Sequence, residues 1–211
     1  MYSSLGLPVR AIERVCRAVA VVFMPQLSSG YAFLALSFAT GLSNTILYLV
    51  IAFLFATLVE LVSLLVYVHF WKGSANVEDR ASRPALFVIA IISYLIGFGL
   101  LRGLHSTFIF SALMFAYFAN TVFAAIITKY VTKVSIHTWG ITGPSVAILY
   151  SLGVLGFVVM LILGGAVGGT RVKLGYHSAG QVALSFLASI PLTWFIVYLL
   201  PSVLPTIFQM K

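Results

Sequence analysis

Long apolar runs separated by short polar loops form the dominant pattern along the 211 residues of this chain. Most of the runs match or exceed the roughly 20 residues with which a helix crosses a bilayer. None alternates strictly between apolar and polar positions, as a transmembrane barrel strand does, and every backbone group within a bilayer needs an internal partner. The pattern therefore predicts an all-α fold, a polytopic transmembrane helical bundle with six or seven spans.

Glycines, prolines and charged residues bound the apolar runs and mark the turns between helices. Predicted runs cover residues 28–71, with two crossings and a turn at 41–44, and residues 85–104, 107–128 and 177–200. The remaining block, 141–169, has Gly153 and Gly156 near its middle. Two interpretations of this block stay open. One long span puts Arg171 across the bilayer from His137, whereas two short helices joined at these glycines bring both residues to one side.

The first part of the chain combines charge with helical spacing. Within residues 8–24, four charged residues precede an apolar run that stops at Pro25: Arg10, Glu13, Arg14 and Arg17. This arrangement predicts an N-terminal interfacial helix that leads into the membrane. The apolar part is short and shows no small-residue cleavage site, so we expect the segment to be retained rather than removed as a signal peptide.

Composition supports a membrane protein, because 62% of the residues are hydrophobic, 8% are charged and the mean hydropathy is +1.13. No separate soluble domain fits, so residues 1–211 are expected to form a single membrane-embedded domain. The net charge of +8 suits anionic headgroups or an anionic substrate better than nucleic acid. We expect an integral membrane protein, in the plasma membrane of a prokaryote, with membrane lipids as partners. Its oligomeric state and the membrane face of its site stay open.

Three polar loops carry the candidate chemistry, at residues 72–84, 129–137 and 170–181. In the last loop His177 and Gln181 are spaced by one helical turn, so the Gln oxygen is expected to accept the proton of one imidazole nitrogen and leave the other free. An alternative interpretation is that the basic groups anchor helices at the interface and the histidines are polar caps. Glu60, inside an apolar run, is either functional or paired with a Ser, Tyr or basic side chain of a neighbouring helix.

These loops resemble the three signature motifs of the type 2 phosphatidic acid phosphatase superfamily, over roughly residues 72–190. The closest match is the third motif. The family shows Ser-Arg, five residues, His, three residues and Asp, and this chain has Thr170-Arg171, His177 and Gln181 at those positions. The Arg and His fit, and the Asp position holds Gln.

The other two motifs match less completely. The second family motif, Pro-Ser-Gly-His, corresponds to Ser135 and His137 with Lys133 two residues ahead of the serine. The first, Lys with six residues before Arg-Pro, corresponds to Lys72 followed at a longer spacing by Arg80 and Arg83. The whole pattern is similar to a divergent, short branch of the superfamily seen in archaea.

The resemblance implies hydrolysis of lipid or polyprenyl phosphates without a metal ion. It implies that His177 is the nucleophile that forms a phosphohistidine, that His137 is the general acid that later activates water, and that Gln181 orients the nucleophile. It further implies that six residues bind the substrate phosphate: Arg171, Lys133, Ser135, Lys72, Arg80 and Arg83. Because Gln cannot offset the charge of an imidazolium as Asp does, a nearby acid such as Glu78 or Asp79 is a candidate replacement.

We therefore expect an integral membrane lipid phosphatase that acts on a polyprenyl (di)phosphate or a phospholipid-type phosphate. The alternative is a non-catalytic membrane transporter or lipid-headgroup-binding protein, which tolerates dispersed charges, whereas the enzyme requires His137, Arg171 and His177 to converge. No metal or cofactor is expected. The four histidines lack the spacing of a ligand pair, the acids are few, and no glycine-rich phosphate loop follows a strand.

Overall fold

The computed structural model describes residues 9–71 and 83–208, and all regular structure in these two ranges is helical. The helices are α1 (Val9–Val22), α2 (Pro25–Thr40), α3 (Leu42–Phe53), α4 (Val59–Trp71), α5 (Arg83–Gly103), α6 (Phe108–Tyr130), α7 (Ile136–Thr142), α8 (Ser145–Lys173), α9 (Ala179–Trp194), α10 (Leu200–Val203) and α11 (Pro205–Phe208). Two π-helical turns, Leu54–Leu58 and Phe195–Leu199, join α3 to α4 and α9 to α10. The predicted all-α class is confirmed for the described residues.

Five helical segments of the described chain are long and apolar enough to cross a membrane. They are Thr45–Phe70, Arg83–Gly103, Phe108–Tyr130, Ser145–Lys173 and Ala179–Val203. A sixth is obtained when α1 and α2, which meet at a bend of 57°, are taken together. Pro25 opens α2, where its missing N–H costs no hydrogen bond. These helices fit an integral membrane protein.

The predicted turn between the first two long helices is confirmed at Gly41. Helix α2 ends at Thr40 and α3 begins at Leu42. Gly41 has a φ of 92°, a left-handed conformation that glycine adopts without a steric penalty from Cβ. The hydroxyl groups of Ser37 and Thr45 lie 2.7 Å apart across this corner, so the two helices are also joined by a side-chain hydrogen bond.

Helix α8 reverses direction at Gly153, where φ is 75° and ψ is −172°. A Cβ atom on Gly164 would lie 2.6 Å from Thr142 Cγ2, although 22 residues of straight helix would separate them by about 33 Å. Gly168 likewise faces Thr138, with 3.1 Å between its ideal Cβ and Thr138 Oγ1. The chain from α7 to the end of α8 is therefore an antiparallel hairpin. Of the two interpretations of this block, the second is correct, and the hinge is Gly153.

The hairpin brings three connections to one end of the bundle. Arg83, at the start of α5, donates a hydrogen bond from Nη1 to the carbonyl of Val134, at 3.1 Å. Gln181 Nε2, near the start of α9, donates to Thr132 Oγ1, also at 3.1 Å. The beginning of α5, the α6–α7 connection and the α8–α9 connection thus meet. We call this end of the bundle the motif end.

A π-helical turn precedes Glu60 in the membrane-crossing segment Thr45–Phe70. Such a turn releases backbone carbonyls from the α-helical ladder, and inside a bilayer they need other donors. Ser93 Oγ donates to the carbonyl of Phe55 at 2.6 Å, and Ser29 Oγ lies within hydrogen-bonding distance of the carbonyl of Ala56. Neighbouring helices therefore stabilise the irregular turn, and the helix that resumes after it directs Glu60 towards the interior.

Aromatic side chains fill the centre of the bundle. Phe33 of α2 contacts Phe110 and Tyr117 of α6, with ring centroids 5.6 and 5.9 Å apart. Tyr94 of α5 stacks on Tyr117 at 5.5 Å. Because aromatic rings bury large areas and lose little conformational entropy, this cluster gives α2, α5 and α6 a rigid common core. It also closes the inner end of the cavity described below.

Substitution of Gly168 is expected to destabilise the hairpin. A Cβ atom there would lie 2.5 Å from Val182 Cγ1, whereas nothing lies within 4 Å of a Cβ on the adjacent Gly169. Both residues are in α8, so Gly168→Val and Gly169→Val carry the same helix-propensity cost. We expect Gly168→Val to be less stable than Gly169→Val by about 1–3 kcal/mol, a typical cost of overpacking. Thermal unfolding in detergent, followed by tryptophan fluorescence, measures the difference, and equal midpoints would contradict the packing described.

Candidate active site

A cavity of about 360 Å³ opens at the motif end and is lined by residues from several helices. Arg83, His137, Arg171 and His177 all line it. They come from α5, α7, the last turn of α8 and the segment just before α9. Residues far apart in sequence thus converge on one cavity. The enzyme interpretation requires this convergence, whereas the alternative function tolerates charges that are dispersed.

His177 lies just ahead of α9, which begins at Ala179, and this agrees with the expectation of a helix that begins near His177. Ser178 is the N-cap, and its hydroxyl accepts a hydrogen bond from the backbone N–H of Gln181. Gln181 Oε1 in turn accepts from the Ser178 N–H at 3.2 Å, which completes a capping box. The same Oε1 lies 3.1 Å from His177 Nδ1. When Nδ1 carries the proton, it donates to Gln181 and leaves Nε2 free.

Arg171 is held inside the protein with only 1% of its surface exposed. Its guanidinium lies 4.3 Å from the centroid of the Tyr176 ring, a cation–π contact. The carbonyl of Arg171 accepts hydrogen bonds from the N–H groups of Tyr176 and His177, at 3.0 and 3.3 Å. A tight turn that follows α8 therefore places the arginine, the aromatic ring and the imidazole side by side.

Arg83 is the second buried guanidinium on the cavity, with 6% of its surface exposed. It begins α5, and its hydrogen bond to the carbonyl of Val134 directs it towards the α6–α7 connection. Two buried guanidinium groups beside two imidazoles form a strongly electropositive site. An arginine pair of this kind suits phosphate, whose oxygens accept several charge-assisted hydrogen bonds at once.

His137 lies in the first turn of α7, and its ring lies close to the backbone of Ala20 in α1. Burial lowers the pKa of His137 to about 3, with further lowering by the charges of Arg171, His177 and Arg83. Burial also lowers the pKa of His177 to about 4. The hydrogen bond that His177 donates to Gln181 opposes this shift, and the charges of Arg83, Lys133 and Arg171 add to it. At neutral pH both imidazoles are therefore uncharged.

Two of the predicted phosphate ligands lie elsewhere. Ser135 is fully buried, its N–H donates to Ser185 Oγ at 3.1 Å, and its hydroxyl pairs with Thr138 Oγ1 at 3.0 Å. It does not line the cavity. Lys133 is half-buried and does not line the cavity either, although its charge is near enough to lower the pKa of His177.

The remaining predicted ligands, Lys72 and Arg80, lie outside the described residues, as do Glu78 and Asp79, the candidate replacements for the missing acid. Among the residues that the structure does describe, no three His, Cys, Asp or Glu side chains are grouped closely enough to hold a metal ion. The conspicuous charges at the site are therefore those of arginine.

The inner part of the cavity is mostly apolar, but polar side chains also line it, among them Glu60, Tyr94, Tyr117 and Asn120. Both Arg83 and Tyr94 belong to α5 and line the cavity, so it extends about 16 Å along this helix. Asn120 is fully engaged, because it accepts from Trp139 Nε1 at 2.7 Å and donates to Thr193 Oγ1 at 2.9 Å. Within the described chain, Glu60 Oε1 and Tyr117 Oη have no hydrogen-bond partner. Glu60 thus faces the cavity rather than a basic group.

Stability is expected to fall in acid because both imidazoles have pKa values below the ordinary 6.5. The unfolded chain then binds these protons more readily than the folded one, so the contribution is complete above about pH 6.5 and is lost as the pH falls towards 4. We expect the thermal midpoint in detergent to decrease between pH 7 and pH 4.5, and to decrease less in His137→Gln. His105→Asn, at the opposite end of the bundle, should follow the parent, and an identical pH dependence in all three proteins would contradict this account.

The sequence did not indicate Tyr176, Tyr94, Tyr117 or Asn120 as residues of the site, whereas Glu60 was identified from it as a functional candidate. Asn120 had a signal, since an amide side chain inside an apolar run needs internal partners. Tyr176 had none, because its contact with Arg171 depends on the turn that follows α8. Comparisons of the chain with protein-family models, with curated protein sequences and with solved structures gave no match.

Proposed function

We propose that this protein is an integral membrane lipid phosphatase that cleaves a polyprenyl (di)phosphate or a phospholipid-type phosphate through a phosphohistidine, without a metal ion. One observation carries the proposal. His137, Arg171 and His177, from three separate segments, line a single cavity with an electropositive mouth and a mostly apolar interior. A lipid phosphate has matching halves, since its headgroup is anionic and its chain is hydrocarbon.

The proposed reaction has two steps. With the phosphate oxygens bound by Arg171 and Arg83, His177 Nε2 attacks phosphorus, the bond to the leaving oxygen breaks, and His137 supplies that oxygen with a proton. Water, deprotonated by His137, then attacks the phosphohistidine, and inorganic phosphate and the free imidazole are released. Catalysis rests chiefly on position and on charge, because the arginines neutralise the equatorial oxygens as they become more negative.

His137 needs a bound phosphate to act as an acid. Burial is the largest cause of its low pKa, and the charges of Arg171 and Arg83 add to it. A phosphate monoester carries about −1.5 to −2 charges at pH 7, which offsets these cations and raises the pKa of the imidazole. Substrate binding thus prepares the general acid. His177, by contrast, needs to be neutral in order to attack, and its pKa of about 4 already ensures that at pH 7.

Gln181 orients His177 but brings no negative charge. Its Oε1 is fixed by the capping box and its Nε2 by Thr132, so the amide cannot rotate without loss of hydrogen bonds. The positive charge of the His177 imidazolium is instead neutralised by the substrate or by the acids of the 72–82 segment, Glu78 and Asp79. The neutral Gln181 also favours the alternative function, a non-catalytic transporter or headgroup-binding protein. A neutral amide is enough to orient an imidazole that only binds phosphate.

The finer membrane arrangement is part of the proposal. With the reversal at Gly153, the segment from α7 to α8 crosses twice, and the bundle has seven crossings when α1 and α2 count as one span. If α1 lies instead at the interface, as its charges suggest, α2 alone makes the first crossing. In either arrangement the three polar loops share one side, and we propose that Lys72 and Arg80 join Arg83 there as phosphate ligands, with Lys133 and Ser135 as supporting residues.

Phosphate release from defined lipids in detergent tests the proposal. We expect release that persists in EDTA from at least one of three substrates: a polyprenyl diphosphate, a polyprenyl monophosphate or phosphatidate. The preferred lipid identifies the substrate class. If the folded protein binds these lipids but releases no phosphate from any of them, the non-catalytic function replaces the enzyme.

A further inference from the structure

Arg17 lines the same cavity as the two histidines, although its position in α1 predicts only a contact with lipid headgroups. Ala20, Val21 and Met24 of the same helix line the cavity as well. The inner face of α1 is therefore a wall of the site, and Arg17 is the charged residue of α1 that lines the cavity.

Contacts on both sides of Arg17 hold α1 against the site. The ring of His137 lies close to the backbone of Ala20, one turn after Arg17. Further along, a Cβ atom on Gly140 would lie 3.3 Å from Pro25 Cα, so α7 packs closely on the junction of α1 and α2. Arg17 and Ala20 are three residues apart in the helix and both line the cavity, so Arg17 lies on the side of α1 that faces α7.

Arg17 lies apart from the cations that are near the two imidazoles. Arg171 and Arg83 line the cavity together with both histidines, and they are the cations that would bind the attacked phosphoryl group. Arg17 belongs to a different wall of the cavity and is solvent-exposed. A diphosphate has a second phosphoryl group, which would give Arg17 an anionic partner away from the two buried arginines.

We propose that Arg17 binds a second phosphoryl group and thereby selects lipid diphosphates over lipid monophosphates. The inference rests on the proposed phosphatase function. In the first step His177 Nε2 bonds to the terminal phosphorus, the bond from that phosphorus to the bridging oxygen breaks, and the lipid monophosphate leaves with the electron pair. Arg17 contacts the phosphoryl group that is not attacked and stabilises the charge that develops on it as it leaves.

The test compares farnesyl diphosphate with farnesyl monophosphate, which share one hydrocarbon chain. We expect Arg17→Ala to lower the ratio of kcat/KM for the diphosphate to that for the monophosphate by about tenfold or more, the loss of one charge-assisted contact. Arg17→Lys should recover part of the ratio, since a point charge replaces the bidentate group. Arg14→Ala is the matched control, because Arg14 is also exposed on α1 but does not line the cavity, and it should leave the ratio unchanged.

Failure of this inference is distinguishable from failure of the proposed function. If the parent hydrolyses either lipid and Arg17→Ala leaves the ratio unchanged, or Arg14→Ala lowers it equally, Arg17 does not select diphosphates. If the parent hydrolyses neither lipid, the phosphatase proposal fails, and affinity is measured instead with farnesyl methylenediphosphonate and farnesyl phosphonate. A preference for the diphosphonate that is lost in Arg17→Ala would then uphold the second phosphoryl site, and an equal loss for both ligands would overturn it.

Discussion

His177→Ala is expected to reduce EDTA-resistant phosphate release by at least about 10³-fold, because removal of an enzymic nucleophile leaves only the rate enhancement due to binding and charge. His177 lines the cavity beside Arg171, and its Nδ1 lies 3.1 Å from Gln181 Oε1, so Nε2 is the nitrogen left to attack phosphorus. Neither His137 nor Gln181 offers a second nucleophile in a similar position. Release of phosphate by the purified variant, compared with the parent on the preferred lipid, measures the effect.

A loss of activity in His177→Ala has meaning only if the variant is folded. His105→Ala is the matched control, since His105 lies in the turn between α5 and α6 at the opposite end of the bundle. We expect this control to retain the parental activity, and both variants to elute as the parent does in size-exclusion chromatography. Substantial release by folded His177→Ala would exclude the phosphohistidine and favour direct attack by water.

Arg171→Lys is expected to reduce kcat/KM by about 10–100-fold even though the positive charge is kept. Lysine cannot form two parallel hydrogen bonds to a phosphoryl group, and its ammonium does not stack as flatly on Tyr176. Each lost charge-assisted hydrogen bond has a cost of about 1.5–3 kcal/mol, which is the source of the expected range. The same substitution at Arg102, in the last turn of α5 away from the motif end, should leave kcat/KM unchanged.

The Arg171 variant also separates the two functions. If the protein only binds headgroups, Arg171→Lys weakens lipid binding and no rate is affected, because there is none. If it is an enzyme, part of the loss falls on kcat, since the arginine contacts oxygens that gain charge in the transition state. Equal activity of Arg171→Lys and the parent would place the phosphate away from Arg171.

Most helices could be predicted from the sequence because their boundaries depend on local sequence features. Apolar runs of bilayer length, ended by glycine, proline or charge, predicted α5, α6 and the turn at Gly41, and these are confirmed. The sequence left the reversal in α8 open, because a glycine at position 153 is compatible both with a continuous helix and with a hinge. The packing of the two arms distinguishes these possibilities: Gly164 and Gly168 have no side chains, so the arms can approach closely.

The candidate site was predictable in its residue types and less so in its geometry. Charge and imidazole groups in the polar loops indicated His137, Arg171 and His177, and their convergence needed the hairpin. The start of α9 near His177 was predicted from the sequence, but the N-cap at Ser178 was not identified, because it depends on hydrogen bonds with Gln181. Ser135 was expected at the phosphate, but burial and two side-chain partners turn it towards α9 and α7.

The central claim is that His177 becomes phosphorylated, and the most direct measurement is mass spectrometry of the protein quenched during turnover of its preferred lipid. Phosphohistidine is acid-labile and stable in base, so the quench and digestion are carried out at alkaline pH. The account predicts a phosphate on the peptide that contains His177, present in the parent during turnover and absent from His177→Ala. Turnover with no modified His177, or with phosphate on another residue, would contradict it.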